Sequence, residues 1–105
     1  MQRAELEPRL HLLVCTNRRA PGDPLGGGCG DRGDALYAEL KARVAGRGDA
    51  RAVWVTRTYC LGVCPKSGAT VAAHGAGELR VFSEVEPRDS TELLSLGAVA
   101  NGREA

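Results

Sequence analysis

Short runs of hydrophobic residues along the chain predict four β-strands. Residues 9–15 form a nearly continuous apolar run, which predicts a first strand buried on both faces. Residues 51–57 are rich in β-branched and aromatic side chains and predict a second strand. Residues 69–74 and 79–82 are separated by a Gly-Ala-Gly turn. This pair of runs predicts a β-hairpin.

A helical period appears between the first two strands. Leu36, Leu40 and Val44 lie four residues apart, which predicts a helix over residues 31–45 with one apolar face. We expect an aspartate to cap the start of this helix and glycines to mark its end. The expected cap is Asp31 or Asp34, and the glycines at the end are Gly46 and Gly48.

Pro87 and Asp89 predict the start of a second helix, which ends before Asn101. The element order is therefore β-α-β-β-β-α. A strand, a crossover helix and a second strand imply a parallel unit, and the hairpin adds antiparallel strands. The fold class is α/β, with a mixed four-stranded sheet and two main helices. We expect a flexible lead-in over residues 1–8, one domain over 9–100, and a C-terminal tail over 101–105.

Composition narrows the classes of function. A chain of 105 residues has room for one domain. The net charge is +1, from 14 basic and 13 acidic residues, which gives no electrostatic reason to expect nucleic acid or an anionic membrane as a partner. No apolar stretch approaches the roughly 20 residues that span a bilayer. The N-terminal residues do not resemble a signal peptide, so we expect a cytoplasmic protein.

Four cysteines carry the main chemical signal. They are Cys15, Cys29, Cys60 and Cys64, and their spacing is C-x13-C-x30-C-x3-C. Cys15 closes the first predicted strand, and the last pair follows the second strand. In a reducing cytoplasm, four cysteines are more often a metal site than two disulfides.

Four thiolates can ligate a [2Fe–2S] cluster, with two thiolates on each iron. Such a cluster is negatively charged, and glycine-rich loops supply N–H donors that can approach sulfur. Glycines surround Cys29, and Gly62 lies between the last two cysteines. The first predicted helix begins directly after Cys29, so its N-terminal dipole favours a nearby anion. The short spacing of Cys60 and Cys64 suggests that they share one iron, leaving the other two cysteines for the second.

The chain resembles the thioredoxin-like [2Fe–2S] ferredoxins, sometimes called Shethna-type, and is similar to the cluster-bearing small subunit of respiratory NADH dehydrogenases. The segments that carry the resemblance are Cys15–Cys29, Gly30–Gly33, Cys60–Pro65 and Val85–Pro87. Two features depart from the pattern: the first loop is one residue longer than the commonest form, and residues 66–70 differ from the usual sequence. The resemblance implies a thioredoxin-like fold, a one-electron carrier that is not an enzyme, redox partner proteins and, for many members, a homodimer.

Alternatives remain open for the cysteines. A structural zinc site also takes four thiolates, although its ligands usually come in two short pairs. The chain could also be a cluster-bearing subunit of a larger dehydrogenase. Thiol–disulfide catalysis is disfavoured because its motif is C-x-x-C at a helix start. A Rieske centre would need two histidines as ligands, but His11 and His74 stand outside any Cys-x-His unit.

Other residues near the cysteines have plainer interpretations. Trp54 is interpreted as a core residue of the second strand rather than an electron relay. A basic rim around the cysteines is expected to be either solvated charge or a docking surface for a partner. Its residues are Arg18, Arg19, Arg57 and Lys66.

Overall fold

The structure of the chain is a computed structural model. It describes residues 1–4 and 8–102, with no side chains beyond Leu96 in the last helix. Residues 5–7 of the predicted lead-in and 103–105 of the predicted tail lie outside the described residues. The strands are β1 (Leu10–Cys15), β2 (Val53–Thr58), β3 (Ala69–Gly75) and β4 (Glu78–Val85), and the helices are α1 (Gly30–Arg47) and α2 (Ser90–Gly102).

The element order matches the prediction, and a single 3-10 turn at Pro87–Asp89 precedes α2. The four strands form one sheet in the order β2-β1-β3-β4. β1 pairs with β2 in parallel, and β3 pairs with both β1 and β4 in antiparallel fashion. The predicted parallel unit and hairpin are therefore confirmed.

Both helices pack on the same face of the sheet. α1 contacts β1, β2 and β3, α2 contacts β1 and β3, and the two helices contact each other. Alternate strand residues point into this layer, since side chains on a strand alternate between faces. The core consists mainly of Leu and Val from the strands and helices, with two of the cysteines among them. Its largest members are Leu10, Leu12, Leu36, Leu40 and Leu94.

The second face of the sheet carries no packed element from the described part of the chain. The prediction that β1 is buried on both faces is wrong, because His11 and Leu13 are only half-buried while their neighbours on the helical side are fully buried. The interpretation of Trp54 as core is also wrong. Trp54 is half-buried on the open face, where its ring meets the His11 ring edge-on at 5.6 Å.

Helix α1 begins one residue earlier than predicted and lacks the predicted aspartate cap. Its N-cap residue is Cys29, which makes no capping hydrogen bond through its side chain. Asp31 lies in the first turn, where a carboxylate still interacts favourably with the helix dipole. Gly48 ends the helix in the left-handed conformation, at φ 71°, as predicted, whereas Gly46 lies inside the helix.

Among the described residues, no helix has both the length and the apolar character needed to span a membrane.

Candidate metal centre

The cysteines lie at one edge of the sheet because β1 and β2 are parallel. Cys15 is the last residue of β1 and stands in register with Thr58, the last residue of β2. The chain leaves that edge from both strands, and Cys60 follows two residues later. Hydrogen bonds from the amide and the hydroxyl of Thr16 to the Thr58 carbonyl, at 2.9 and 3.5 Å, extend the pairing beyond the sheet.

The long loop between Cys15 and Cys29 is closed by pairing between its two arms. The Arg19 amide donates to the Gly27 carbonyl at 3.2 Å, and the Gly30 amide donates to the Asn17 carbonyl at 3.0 Å. The loop therefore returns to its starting point and brings Cys29 back beside Cys15. The entropic cost of closing a loop grows only slowly with loop length, so a loop of this length is tolerated.

Cys60 and Cys64 converge around a tight loop. Their Sγ atoms are 3.9 Å apart, and both cysteines are free thiols. Two thiolates on one tetrahedral metal lie about 3.8 Å apart when metal–sulfur bonds are about 2.3 Å long. A disulfide would need about 2.05 Å. The separation fits two ligands of a shared metal, and the Gly62 amide donates to the Cys60 sulfur at 3.3 Å, as predicted for this glycine.

The two cysteine pairs differ in exposure. Cys15 and Cys29 are each 1% exposed and belong to the core, whereas Cys60 and Cys64 are exposed. Burial raises the pKa of Cys15, a backbone hydrogen bond from Asn17 opposes the rise, and the adjoining Cys29 and the more distant Cys60 add to it. The hydrogen bond from the Gly62 amide is the largest of the effects that lower the pKa of Cys60. Interactions with Cys64 and Arg19 lower that pKa further.

Gly33 allows α1 to approach the end of β1. A Cβ atom at this position would collide with the Cys15 carbonyl oxygen, and would lie 3.0 Å from the carbonyl carbon and 3.1 Å from the Thr16 Cα. Real Cβ atoms do not approach backbone so closely, so only glycine fits here. The close approach holds the N-terminus of α1, and with it Cys29, against the strand end that carries Cys15.

Arg32, in the first turn of α1, links the two cysteine-bearing segments. Its guanidinium donates to the carbonyls of Pro65 and Lys66, both at 3.0 Å, and to that of Gly68 at 2.8 Å, just after Cys64. A fourth bond reaches the Gly28 carbonyl at 3.2 Å, just before Cys29. The sequence interpretation missed this residue, although a basic side chain in the first turn opposes the helix dipole and so indicates a specific partner.

The predicted basic rim separates into residues with different partners. Arg18 pairs with Asp31 at 2.7 Å and with Asp34. Arg57 also approaches Asp34, at 3.4 Å, and lies over the Tyr37 ring. These charges are offset by neighbouring carboxylates, as expected of a solvated surface.

Arg19 behaves differently because it contacts sulfur. Its Nη2 atom lies 3.0 Å from the Cys64 Sγ and 3.4 Å from the Cys60 Sγ. A guanidinium in this position supplies both hydrogen bonds and a positive charge to two thiolates, in addition to the amide of Gly62.

Not every predicted donor serves the cysteines. The Gly26 amide donates to the Asp23 carbonyl, at 2.9 Å, and the Gly30 amide is used within the loop. In the portion of the chain that the structure covers, no three His, Cys, Asp or Glu side chains converge on a single metal position. The cysteines are arranged as two pairs, one exposed and one buried, rather than as four ligands around one point.

No protein-family model and no curated protein matches the chain. The structure is similar to that of the wild-type thioredoxin-like [2Fe–2S] ferredoxin from Aquifex aeolicus, with a TM-score of 0.69 and 22% identity, covering 92% of this chain and 90% of that one. The fold is thioredoxin-like. A cysteine-to-serine variant of the Aquifex protein gives a TM-score of 0.67 with 23% identity, covering 82% of this chain and 83% of that one.

The thioredoxin-like fold predicted from the sequence is thereby confirmed. Nine-tenths of the chain takes part in the likeness. The iron–sulfur cluster is a property of the Aquifex protein.

Proposed function

We propose that this chain is a one-electron carrier, and that residues 9–100 form a domain that holds a [2Fe–2S] cluster. The proposed ligands are Cys15, Cys29, Cys60 and Cys64. The observation that carries the proposal is the 3.9 Å separation of the Cys60 and Cys64 sulfurs at the sheet edge where Cys15 also ends its strand. The thioredoxin-like fold, shared with a [2Fe–2S] ferredoxin, supports it.

In this proposal each cysteine pair holds one iron. Cys60 and Cys64 are the ligands at the exposed side, and Cys15 and Cys29 are the ligands at the buried side. A bound cluster would supply reversible one-electron chemistry, at a potential set by its hydrogen bonds and exposure. The protein contributes fixed N–H donors to the sulfurs and the positive end of α1 beside Cys29.

The exposed pair marks the side at which a redox partner would approach. Because two proposed ligands are at the surface, an electron would cross little protein between this site and a docked partner. We therefore propose redox partner proteins rather than a chemical substrate, and an electron-transfer protein rather than an enzyme. We place it in a reducing compartment, such as the cytoplasm, where a set of four cysteines is more often a metal site than two disulfides. A homodimer remains a hypothesis from the resemblance.

A structural zinc site is the competing interpretation of the cysteines. Zinc would require four sulfurs around one ion. Among the residues covered by the structure, no three such ligands converge on one position. Two pairs, one exposed and one buried, are better suited to two metals than to one.

Metal analysis distinguishes these two functions. We expect anaerobically purified protein to be red-brown, to contain about two irons and two sulfides per chain, and to give an EPR signal after reduction by dithionite. The quadruple Cys→Ser variant is the control and should bind neither. A colourless protein rich in zinc, even after anaerobic reconstitution with iron and sulfide, would contradict the proposal.

The same cysteines would serve a subunit of a larger dehydrogenase. Purification under native conditions from the source cells separates the two cases. In size-exclusion chromatography, a free carrier should elute at the mass of the chain or of its dimer, whereas a subunit should elute together with other polypeptides.

A further inference from the structure

One charged side chain in the structure stands out by its contacts with two of the proposed ligands. The guanidinium of Arg19 donates to the sulfurs of Cys64 and Cys60, at 3.0 and 3.4 Å. Within the described residues, no carboxylate lies within ion-pair distance of Arg19, in contrast to Arg18 and Arg57. The direct contacts of the Arg19 guanidinium are therefore with sulfur, and the carboxylate of Asp23 acts on it only from beyond ion-pair distance.

The position of Arg19 is fixed by the loop that carries it. Its amide donates to the Gly27 carbonyl at 3.2 Å, at the neck of the loop between the first two cysteines. Its Nη1 atom donates to the Leu25 carbonyl at 3.4 Å, while Nη2 faces the sulfurs. The side chain is half-buried rather than fully exposed. Because the backbone amide and the Nη1 atom of Arg19 are already hydrogen-bonded, its side chain loses less conformational entropy on contacting sulfur than that of a free surface arginine would.

The sulfurs of the exposed pair, Cys60 and Cys64, accept hydrogen bonds from two different residues. The Gly62 amide already bonds the Cys60 sulfur at 3.3 Å, and Arg19 spans both sulfurs. No comparable cation faces the buried pair among the contacts of the described residues, where a backbone hydrogen bond from Asn17 to Cys15 and the helix start at Cys29 supply only partial charges. Negative charge added at the site would therefore be better stabilised on the exposed side.

We propose that Arg19 sets the reduction potential of the site and directs the added electron to the iron held by Cys60 and Cys64. This inference rests on the proposed cluster. One electron taken from a reduced donor protein converts one iron from ferric to ferrous, and the same electron later leaves to an oxidised acceptor. The total charge of the cluster would become more negative by one, and no proton or bond change is needed. Hydrogen bonds to cluster sulfurs stabilise that extra charge and so raise the potential.

The test compares Arg19→Gln with Arg18→Gln. Both remove one positive charge from adjacent positions, but only the first removes bonds to sulfur. In a redox titration followed by EPR, we expect Arg19→Gln to lower the potential by about 59 mV, which corresponds to a tenfold change in the one-electron equilibrium constant. Arg18→Gln should have a smaller effect, and that effect should vanish in about 1 M salt, where the Debye length is about 3 Å. The effect of Arg19→Gln should persist in salt.

A second variant and a second readout separate hydrogen bonding from charge. Arg19→Lys keeps the charge but loses the planar pair of donors, so its potential should fall between those of wild type and Arg19→Gln. Resonance Raman bands of the iron–cysteine bonds should shift in Arg19→Gln and not in Arg18→Gln. In Mössbauer spectra of the reduced protein, Cys60→Ser should alter the ferrous component, whereas Cys15→Ser should alter the ferric one.

The outcomes distinguish failure of this inference from failure of the proposed function. If wild-type protein binds no iron–sulfur cluster, the proposed function itself is wrong. If wild type binds the cluster and Arg19→Gln keeps the wild-type potential and Raman bands, Arg19 does not set the potential. Should Arg19→Gln fail to assemble the site, Arg19→Lys decides: an unchanged potential and unchanged Raman bands in that variant would overturn the inference.

Discussion

At the level of single residues, the four cysteines are not equivalent, although the sequence presents them as one set. Two are core residues at 1% exposure, and two are exposed side chains on a loop. The buried pair is fixed by packing and by the closed loop between them. The exposed pair is fixed by local hydrogen bonds, among them those from Gly62 and Arg19. This division makes the pairing of ligands testable.

Double serine variants test the pairing. If Cys60 and Cys64 share an iron, the variant Cys60→Ser/Cys64→Ser should alter one of the two Mössbauer doublets of the oxidised protein. The variant Cys15→Ser/Cys60→Ser should alter both doublets, because each serine then ligates a different iron. The reverse pattern would show that the ligands are paired across the two loops.

Arg32 is expected to stabilise both the fold and the site. Replacing it by Gln removes bonds to carbonyls on both cysteine segments, so the free energy of unfolding should fall by about 1.5–3 kcal/mol. Iron content after purification should fall with it, because the two segments lose their link. Denaturant unfolding and iron analysis measure the two effects.

A matched control for Arg32 lies on the same helix. Arg43 forms an exposed pair with Glu39, at 2.6 Å, and donates to the Thr91 hydroxyl at 3.2 Å, so Arg43→Gln should cost about 1 kcal/mol and should leave iron content unchanged. Equal losses in the two variants would mean that Arg32 has no special role.

At the level of secondary-structure elements, the contact of α1 with the end of β1 depends on one glycine. In Gly33→Ala the new methyl group would meet the Cys15 carbonyl, so we expect a loss of about 1–3 kcal/mol of unfolding free energy and a lower iron content. Gly46→Ala is the control in the same helix. No atom lies within 4 Å of its added Cβ, so it should stabilise the protein by about 0.5–1 kcal/mol. A gain of stability in both variants would contradict the inference that α1 approaches the end of β1 too closely for a Cβ atom at position 33.

The open face of the sheet predicts a pH dependence of stability. Burial, and then the charge of His74 on the neighbouring strand, lower the pKa of His11 below 6.5. The folded protein therefore binds fewer protons at this group than the unfolded chain does. Stability from this source is complete above pH 6.5 and is lost as pH falls towards the lower folded pKa.

His11→Gln tests this linkage. Between about pH 7.5 and pH 5.5, the thermal midpoint of wild type should fall more than that of His11→Gln. His74→Gln should show an intermediate dependence, since it removes the charge and leaves the burial. A wild type and a His11→Gln variant with parallel pH profiles would contradict this account.

Most of the element order could be predicted from the sequence, because periods of hydrophobic residues report secondary structure directly. The cysteine spacing also indicated the site, since parallel strands end at one edge. The contacts that complete the site could not be predicted. Arg32 and Arg19 act on segments more than thirty residues away, and the role of Gly33 depends on how closely a helix packs. The error on β1 has the same origin, because a run of apolar residues does not show that both helices lie on one face.

At the level of the whole molecule, the fold separates the stability of the domain from the exposed half of the site. The core is built from all four strands and the two helices, and it contains Cys15 and Cys29 as ordinary packed residues. Cys60 and Cys64 do not belong to this core, because both are exposed. We therefore expect removal of the cluster to lower stability, as loss of any ligand of the folded state does, without loss of the secondary structure.

Alkylation of the cysteines tests that separation together with the proposed ligation. In cluster-free protein, iodoacetamide should modify Cys60 and Cys64 quickly, and Cys15 and Cys29 slowly, because the buried pair reacts only when the fold opens. In cluster-loaded protein all four should be protected, since a thiolate bound to iron is not a free nucleophile. Protein unfolded in urea, which should react at all four positions, is the control for complete labelling, and peptide mass spectrometry reads each site. If Cys60 and Cys64 react in loaded protein as fast as in cluster-free protein, they do not ligate the metal. Protection of all four, reversed together by iron chelation, would mean that one group bridges the exposed loop and the core.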